Sequence, residues 1–169
     1  MSAFLMRVTV CLMFAGLVAG CVPTPTENPP VPTISREPAE REAPQAGPGE
    51  SDADAPEEFT ATESGLKYRI LRKSDGRKPT AADTVRCHYK GWLDDGKVFD
   101  SSYAKGSPID FGLGGVIKGW TEGLQLIGEG GMIELEIPGD LGYGAAGMPP
   151  AGIGPNATLH FIVELKKIL

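Results

Sequence analysis

The chain has 169 residues and a formal net charge of −6, with 22 Asp and Glu against 16 Lys and Arg. From residue 57 onward the two signs nearly balance and no basic stripe occurs, which excludes nucleic acid as a partner of that part. The same part has the length of one domain and no apolar run near the ~20 residues of a membrane-spanning helix.

The N-terminus reads Arg7, then an apolar run from Val8 to Val18, then small residues and Cys21. That run is too short to span a bilayer but fits the core of a signal peptide. Val18-Ala19-Gly20-Cys21 resembles the lipobox of bacterial lipoproteins, whose peptide is cut before a cysteine that becomes lipidated. Residues 1–20 are therefore expected to be a lipoprotein signal peptide and Cys21 the lipidation site. Cys11 leaves with that peptide, so Cys87 has no partner for an intrachain disulfide and is read as a small buried apolar residue.

Residues 21–56 read as a disordered tether. From 22 to 56 the chain carries nine of its fifteen prolines, no aromatic residue, and seven acids against two arginines. Such a stretch cannot bury enough apolar surface to offset its ordering entropy. As polyproline II, at ~3.1 Å per residue, it would reach ~100 Å at most. The folded domain is expected over 57–169.

Within that domain, period-two alternation predicts strands around Leu66–Ile70, Val85–Tyr89, Ile133–Ile137 and Leu159–Leu165. Asp95-Gly96 is a hairpin signal between Trp92 and Phe99. Ile117, Trp120, Leu124 and Ile127 share one helical face, so a helix is expected over 117–127 and is stopped by Gly128, Gly130 and Gly131. Antiparallel strands with one packed helix make an α+β domain. His88 and His160 fall on the outward parities of their strands and read as solvated, with no metal-ligand spacing to each other or to Cys87. Asp94-Asp95 reads as a solvated turn.

Eight of the twelve aromatic residues lie between Tyr89 and Phe161, more than a small core with one short helix requires. Asp100 is the one acid beside a ring in a buried-looking run. An apolar aromatic pocket with few polar groups suits binding and distorting a ligand; hydrolysis would need a nucleophile and a base.

His88-Tyr89-Lys90-Gly91, Gly96-Lys97-Val98-Phe99-Asp100-Ser101-Ser102, Val116-Ile117-Lys118-Gly119-Trp120, Gly142-Tyr143-Gly144 and Pro155-Asn156-Ala157-Thr158-Leu159 follow one another in this order. Together they resemble the FKBP family of peptidyl-prolyl isomerases, the macrolide-binding immunophilins, over about residues 63–169. The resemblance implies a twisted five- to six-stranded antiparallel sheet wrapped around one short α-helix. It implies rotation of X-Pro bonds without metal or cofactor; the lipobox-like N-terminus adds a lipid anchor and extracytoplasmic clients as expectations, and a monomer is expected because no dimerisation helix is read ahead of the domain. The membrane that holds the anchor stays open, although Val22 after Cys21 resembles lipoproteins sorted to an outer membrane. A proline-binding chaperone or interaction module with little catalysis is the alternative reading.

The resemblance also implies roles. Trp120 forms the floor under the proline ring; Tyr89, Phe99, Val116, Ile117 and Phe161 form the walls. The Tyr143 hydroxyl and the Ile117 N–H bond substrate carbonyls. Asp100 either orients the Tyr89 hydroxyl or faces the amide carbonyl. Ile153 lines the rim. Ile109 stands where the family often has an aromatic residue, which softens one wall and weakens the binding of macrolide inhibitors. Met148 and Gly154 replace a common histidine and proline in a loop expected to overhang the substrate.

Overall fold

Among residues 45–169, which the computed structural model describes, seven strands form one antiparallel sheet. They are β1 (Thr60–Ala61), β2 (Lys67–Arg72), β3 (Thr84–Leu93), β4 (Val98–Ser101), β5 (Ile109–Gly112), β6 (Met132–Ile137) and β7 (Leu159–Ile168). The order is β1-β2-β6-β7-β3-β4, with β5 also paired to β3. The strand beyond the expected six is β1, whose two residues are too few to show alternation. Residues 1–44, with the expected signal peptide, Cys21 and most of the tether, lie outside the described part. No helix among the described residues is long and apolar enough to cross a membrane.

The alternating patterns put one set of side chains on a common inner face. Val85, Cys87 and Tyr89 of β3, Ile133, Leu135 and Ile137 of β6, and Leu159, Phe161, Val163 and Leu165 of β7 are all buried in one core. Burial pushes the Cys87 thiol up to about 12, which makes it inert at neutral pH. On the outer face the register sets Lys67 against Glu136 and Arg69 against Glu134, and both pairs close at 2.6 Å.

Helix α2 (Lys118–Leu124) lies on the inner face and buries Trp120 and Leu124. It is shorter than expected: beyond Leu124 the turn tightens, with Leu126 N donating to Gly123 O, yet Ile127 stays buried. Gly119 and Gly123 face β6, where a Cβ would come within 2.6 Å of Ile137 and 2.7 Å of Leu135. Two glycines cost a helix about 1 kcal/mol each in propensity. Here they let its backbone sit directly on the strand.

The second edge of β3 is split. Its first half pairs with β5 and its second half with β4. Between them lies a one-turn helix, α1 (Ser102–Lys105), which the sequence reading did not foresee. The Ser102 hydroxyl fills the gap in the ladder: Tyr89 N donates to it at 2.7 Å, and it donates to Tyr89 O at 3.2 Å. A buried backbone pair is thus satisfied where no strand reaches it. The hairpin signal holds, with Gly96 at φ 80° and its N–H donating to Leu93 O.

Two expectations are corrected on the outer face. His88 is 2 % exposed, not solvated: α1 covers it, the Tyr103 ring stacks on it at 4.8 Å, and Nδ1 lies 3.0 Å from the Ser102 hydroxyl. Strand parity states which face a residue occupies, not whether that face is covered. His160 is half-buried, bonded to Asp94 at 2.7 Å and stacked on Trp92. The ordered chain also begins before residue 57. Asp52 N bonds Leu71 O, Lys73 N bonds the Asp52 carboxylate, and Gln45 and Gly49 reach Glu164 of β7.

Candidate functional site

A cavity of about 310 Å³ opens between α2 and the concave side of the sheet. It is at the small end of ligand pockets, about 300–1,000 Å³. Every neighbouring element contributes to it: Tyr89 from β3, Phe99 and Asp100 from β4, Phe111 from β5, and Phe161 from β7. Gly115, Val116 and Ile117 from the turn before α2, Trp120 from α2 and Tyr143 from the loop after β6 complete it.

Trp120 is the hub, 4 % exposed. Tyr89, Phe111 and Phe161 stand edge-to-face around it at 5.3, 5.2 and 5.3 Å, and Phe99 meets Phe161 in the same way at 5.4 Å. Such pairs contribute about 0.5–1.5 kcal/mol each beyond area burial, so the box is stiff before any ligand arrives. The indole N–H is buried without a hydrogen-bond partner among the described residues. Gly91 makes the packing feasible, because a Cβ there would lie 2.6 Å from Phe161 and 2.7 Å from Phe99.

Asp100 and the Tyr89 hydroxyl form one polar edge. Asp100 accepts from the Tyr89 hydroxyl at 2.5 Å and from the Ser101 N–H at 2.8 Å, and its other contact is the Lys105 ammonium at 2.6 Å. Burial pushes the Asp100 carboxyl up, but the hydrogen bonds from Lys105 and Tyr89 outweigh it and hold the group below its ordinary range. Burial, reinforced by the carboxylate beside it, pushes the Tyr89 hydroxyl well above the usual tyrosine range. Tyr89 therefore stays a neutral donor and Asp100 a charged acceptor. Of the two contacts expected of Asp100, the one present is to the Tyr89 hydroxyl. The Tyr143 hydroxyl and the Ile117 N–H, at the start of α2, bond no other described residue.

Tyr89, Phe99, Asp100, Val116, Ile117, Trp120, Tyr143 and Phe161 are thus brought together as the sequence reading placed them. Three other residues are not at the cavity. Ile153 is 2 % exposed and belongs to the core, held by the Met148–Ile153 bridge. Met148 is turned to solvent. Ile109 packs half-buried on the core, opposite Cys87. Phe111 and Gly115 were missed, as was Lys105 beside the rim. Phe111 has the same strand parity as Ile109, so alternation alone could have found it. Among the described residues no group of His, Cys, Asp or Glu could hold a metal ion.

The sequence model of a family described as FKBP-type peptidyl-prolyl cis-trans isomerase matches residues 75–166. FKBP-type peptidyl-prolyl cis-trans isomerase FkpA of Escherichia coli K12 is 54 % identical over 102 residues, 60 % of this chain and 37 % of that protein. The FKBP-type 22 kDa peptidyl-prolyl cis-trans isomerase of the same strain is 49 % identical over 113 residues, 67 % of this chain and 54 % of that one. The crystal structure of FkpA from Escherichia coli superimposes with a TM-score of 0.64 at 49 % identity, over 67 % of this chain and 52 % of that one. A peptidyl-prolyl cis-trans isomerase from Pseudomonas syringae pv. tomato gives 0.60 at 37 % identity, over 65 % and 80 %. The chain spans from about a third to about half of the length of these curated relatives.

Proposed function

Since this chain belongs to the family of FKBP-type peptidyl-prolyl cis-trans isomerases, we propose that it accelerates rotation about X-Pro bonds by binding the twisted amide in the aromatic cavity. One observation carries the mechanism: a cavity walled by rings holds one hydrogen-bonded Tyr89–Asp100 edge and, among its lining residues, no nucleophile-base pair.

Resonance keeps the amide planar behind a barrier of ~18–20 kcal/mol. No covalent bond has to break. A catalyst need only hold the twisted form more tightly than either planar one, and each ~1.4 kcal/mol of that preference is worth a factor of ten. The twisted amide has lost charge separation, so its carbonyl tolerates an environment without water. In this reading the proline ring stands on Trp120, between Tyr89, Phe111 and Phe161. The Ile117 N–H and the Tyr143 hydroxyl hold the neighbouring carbonyls, which leaves the rotating carbonyl to turn against Tyr89 and Asp100. Asp100 moves no proton. It anchors the Tyr89 hydroxyl so that the wall keeps one orientation.

The setting follows from the N-terminus. The signal-like run Val8–Val18 and the lipobox-like Val18-Ala19-Gly20-Cys21 support a lipid anchor on Cys21 and clients outside the cytoplasm, on a periplasmic face or at an outer membrane. Mass spectrometry of the mature N-terminus tests this: a diacylglyceryl-cysteine is expected, and an unmodified or uncut chain overturns it. The activity is tested with a proline tetrapeptide in a protease-coupled assay, with and without a macrolide. Faster cis-to-trans conversion that the macrolide suppresses is expected. A rate equal to buffer alone overturns the reading and leaves a proline-binding module.

A further inference from the structure

The outer face of the sheet carries a buried polar cluster that the cavity chemistry does not use. Its centre is Glu164 of β7, 1 % exposed. One carboxylate oxygen accepts from the Tyr103 hydroxyl at 2.7 Å, the Gly49 N–H at 2.8 Å and the Gln45 amide at 2.9 Å. The other accepts from Arg72 at 2.9 Å. A carboxylate at this depth is tolerable only with its acceptor sites filled. Two of the four donors come from the segment ahead of the sheet. Arg72 also donates to Glu50 O, and Asp52 and Asp54 bind Lys73. Residues 45–54 therefore lie along β2 as a strap.

Tyr103 links this cluster to the cavity. It belongs to α1, the one-turn helix in the split edge of β3. On one side of it, Ser102 holds the backbone of Tyr89. Two residues beyond it, Lys105 binds Asp100, and its ammonium lies 3.4 Å from the Tyr89 hydroxyl. Through Tyr103, α1 thus touches the Glu164 carboxylate that the strap also binds, and through Lys105 it touches the polar edge of the cavity at two points.

We propose that residues 45–54 act as a positioning strap: through Glu164 and Tyr103 they hold α1, and through Lys105 α1 holds Asp100 and the Tyr89 hydroxyl in register with the cavity. The proposal rests on the isomerase reading for its consequence in turnover. Its mechanical part stands on the contacts alone. Loosening the strap frees the polar edge and leaves the floor of Trp120, Phe111 and Phe161 untouched, so turnover should suffer more than binding.

The test uses the full chain. Gln45→Ala with Gly49→Pro removes both strap donors, and Tyr103→Phe removes the hydroxyl while keeping the ring on His88. Each is expected to raise amide exchange across residues 101–106 by about tenfold. Each is also expected to lower kcat by about three- to tenfold while KM changes by less than about twofold. Lys105→Ala should reproduce the kcat loss, and Lys105→Arg should restore it. Faster exchange confined to 45–54, with α1 and kcat as in the parent, overturns the proposal and leaves the segment as a mere cover. A parent chain without turnover sinks the isomerase reading alone, because exchange at 101–106 still decides whether the strap holds α1.

Discussion

Trp120 serves two ends with one side chain, since it is both the hub of the core beneath the cavity and the floor of the cavity itself. Trp120→Ala removes three edge-to-face partners and leaves a hole among Tyr89, Phe111 and Phe161. It should destabilise the domain by about 3–5 kcal/mol in urea titration, and kcat/KM should fall with it. Asp100 is different, because its side chain is 38 % exposed. Asp100→Leu frees the Tyr89 hydroxyl and strands Lys105, so kcat/KM should drop by about tenfold, one ~1.4 kcal/mol interaction, with little change in the unfolding midpoint. The pH dependence has a definite sign. The Asp100 carboxyl is held below its ordinary 3.8 and the Tyr89 hydroxyl above its own range. Turnover should therefore be flat from about pH 5 to 8 and fall only in acid below pH 3.8. A bell centred near neutrality would contradict this assignment.

At the scale of elements, the glycines of β3 and α2 set how closely rings and helix approach the sheet. Gly91→Ala would drive a methyl group into Phe161 and Phe99, both walls of the cavity. Overpacking of this kind costs about 1–3 kcal/mol. The variant should lose that much stability by chemical denaturation and bind a proline peptide more weakly. The outcome separates packing from propensity, since alanine suits a strand better than glycine does. The edge of β3 shows why α1 was not foreseen. Four residues are too few for a helical period, and the hydroxyl of Ser102 does the work of a missing strand partner. Nothing in the spacing of Ser101-Ser102-Tyr103 announces that.

For the whole molecule, the carboxylate of Glu164 ties the segment before the sheet to β7, β2 and α1. Burial pushes its pKa up, but the bonds from Tyr103, the Gly49 N–H and Arg72 outweigh burial and bring it down from 4.5 to about 2. A folded-state value below the unfolded one gives stability that is complete above pH 4.5 and is lost as the pH falls toward 2. The shift is worth about 3 kcal/mol. Acid unfolding followed by circular dichroism should show this loss, and Glu164→Gln should flatten it.

The sequence alone determined the inner face of β3, β6 and β7, the hairpin at Asp95-Gly96 and most of the cavity: alternation and motif order are local and survive in one dimension. It also placed Tyr89, Trp120 and Tyr143 together through a family pattern. Only the tertiary structure decided which outward residues are covered. His88 and Glu164 have the parity of surface residues, and α1 and the strap bury them by contacts between segments that lie far apart along the chain. The same holds for Ile153 and Met148, whose loop closes on itself and leaves the cavity to Phe111 and Gly115. Burial by a distant segment leaves no period in the sequence, because the covering residues are chosen by shape and charge, not by spacing.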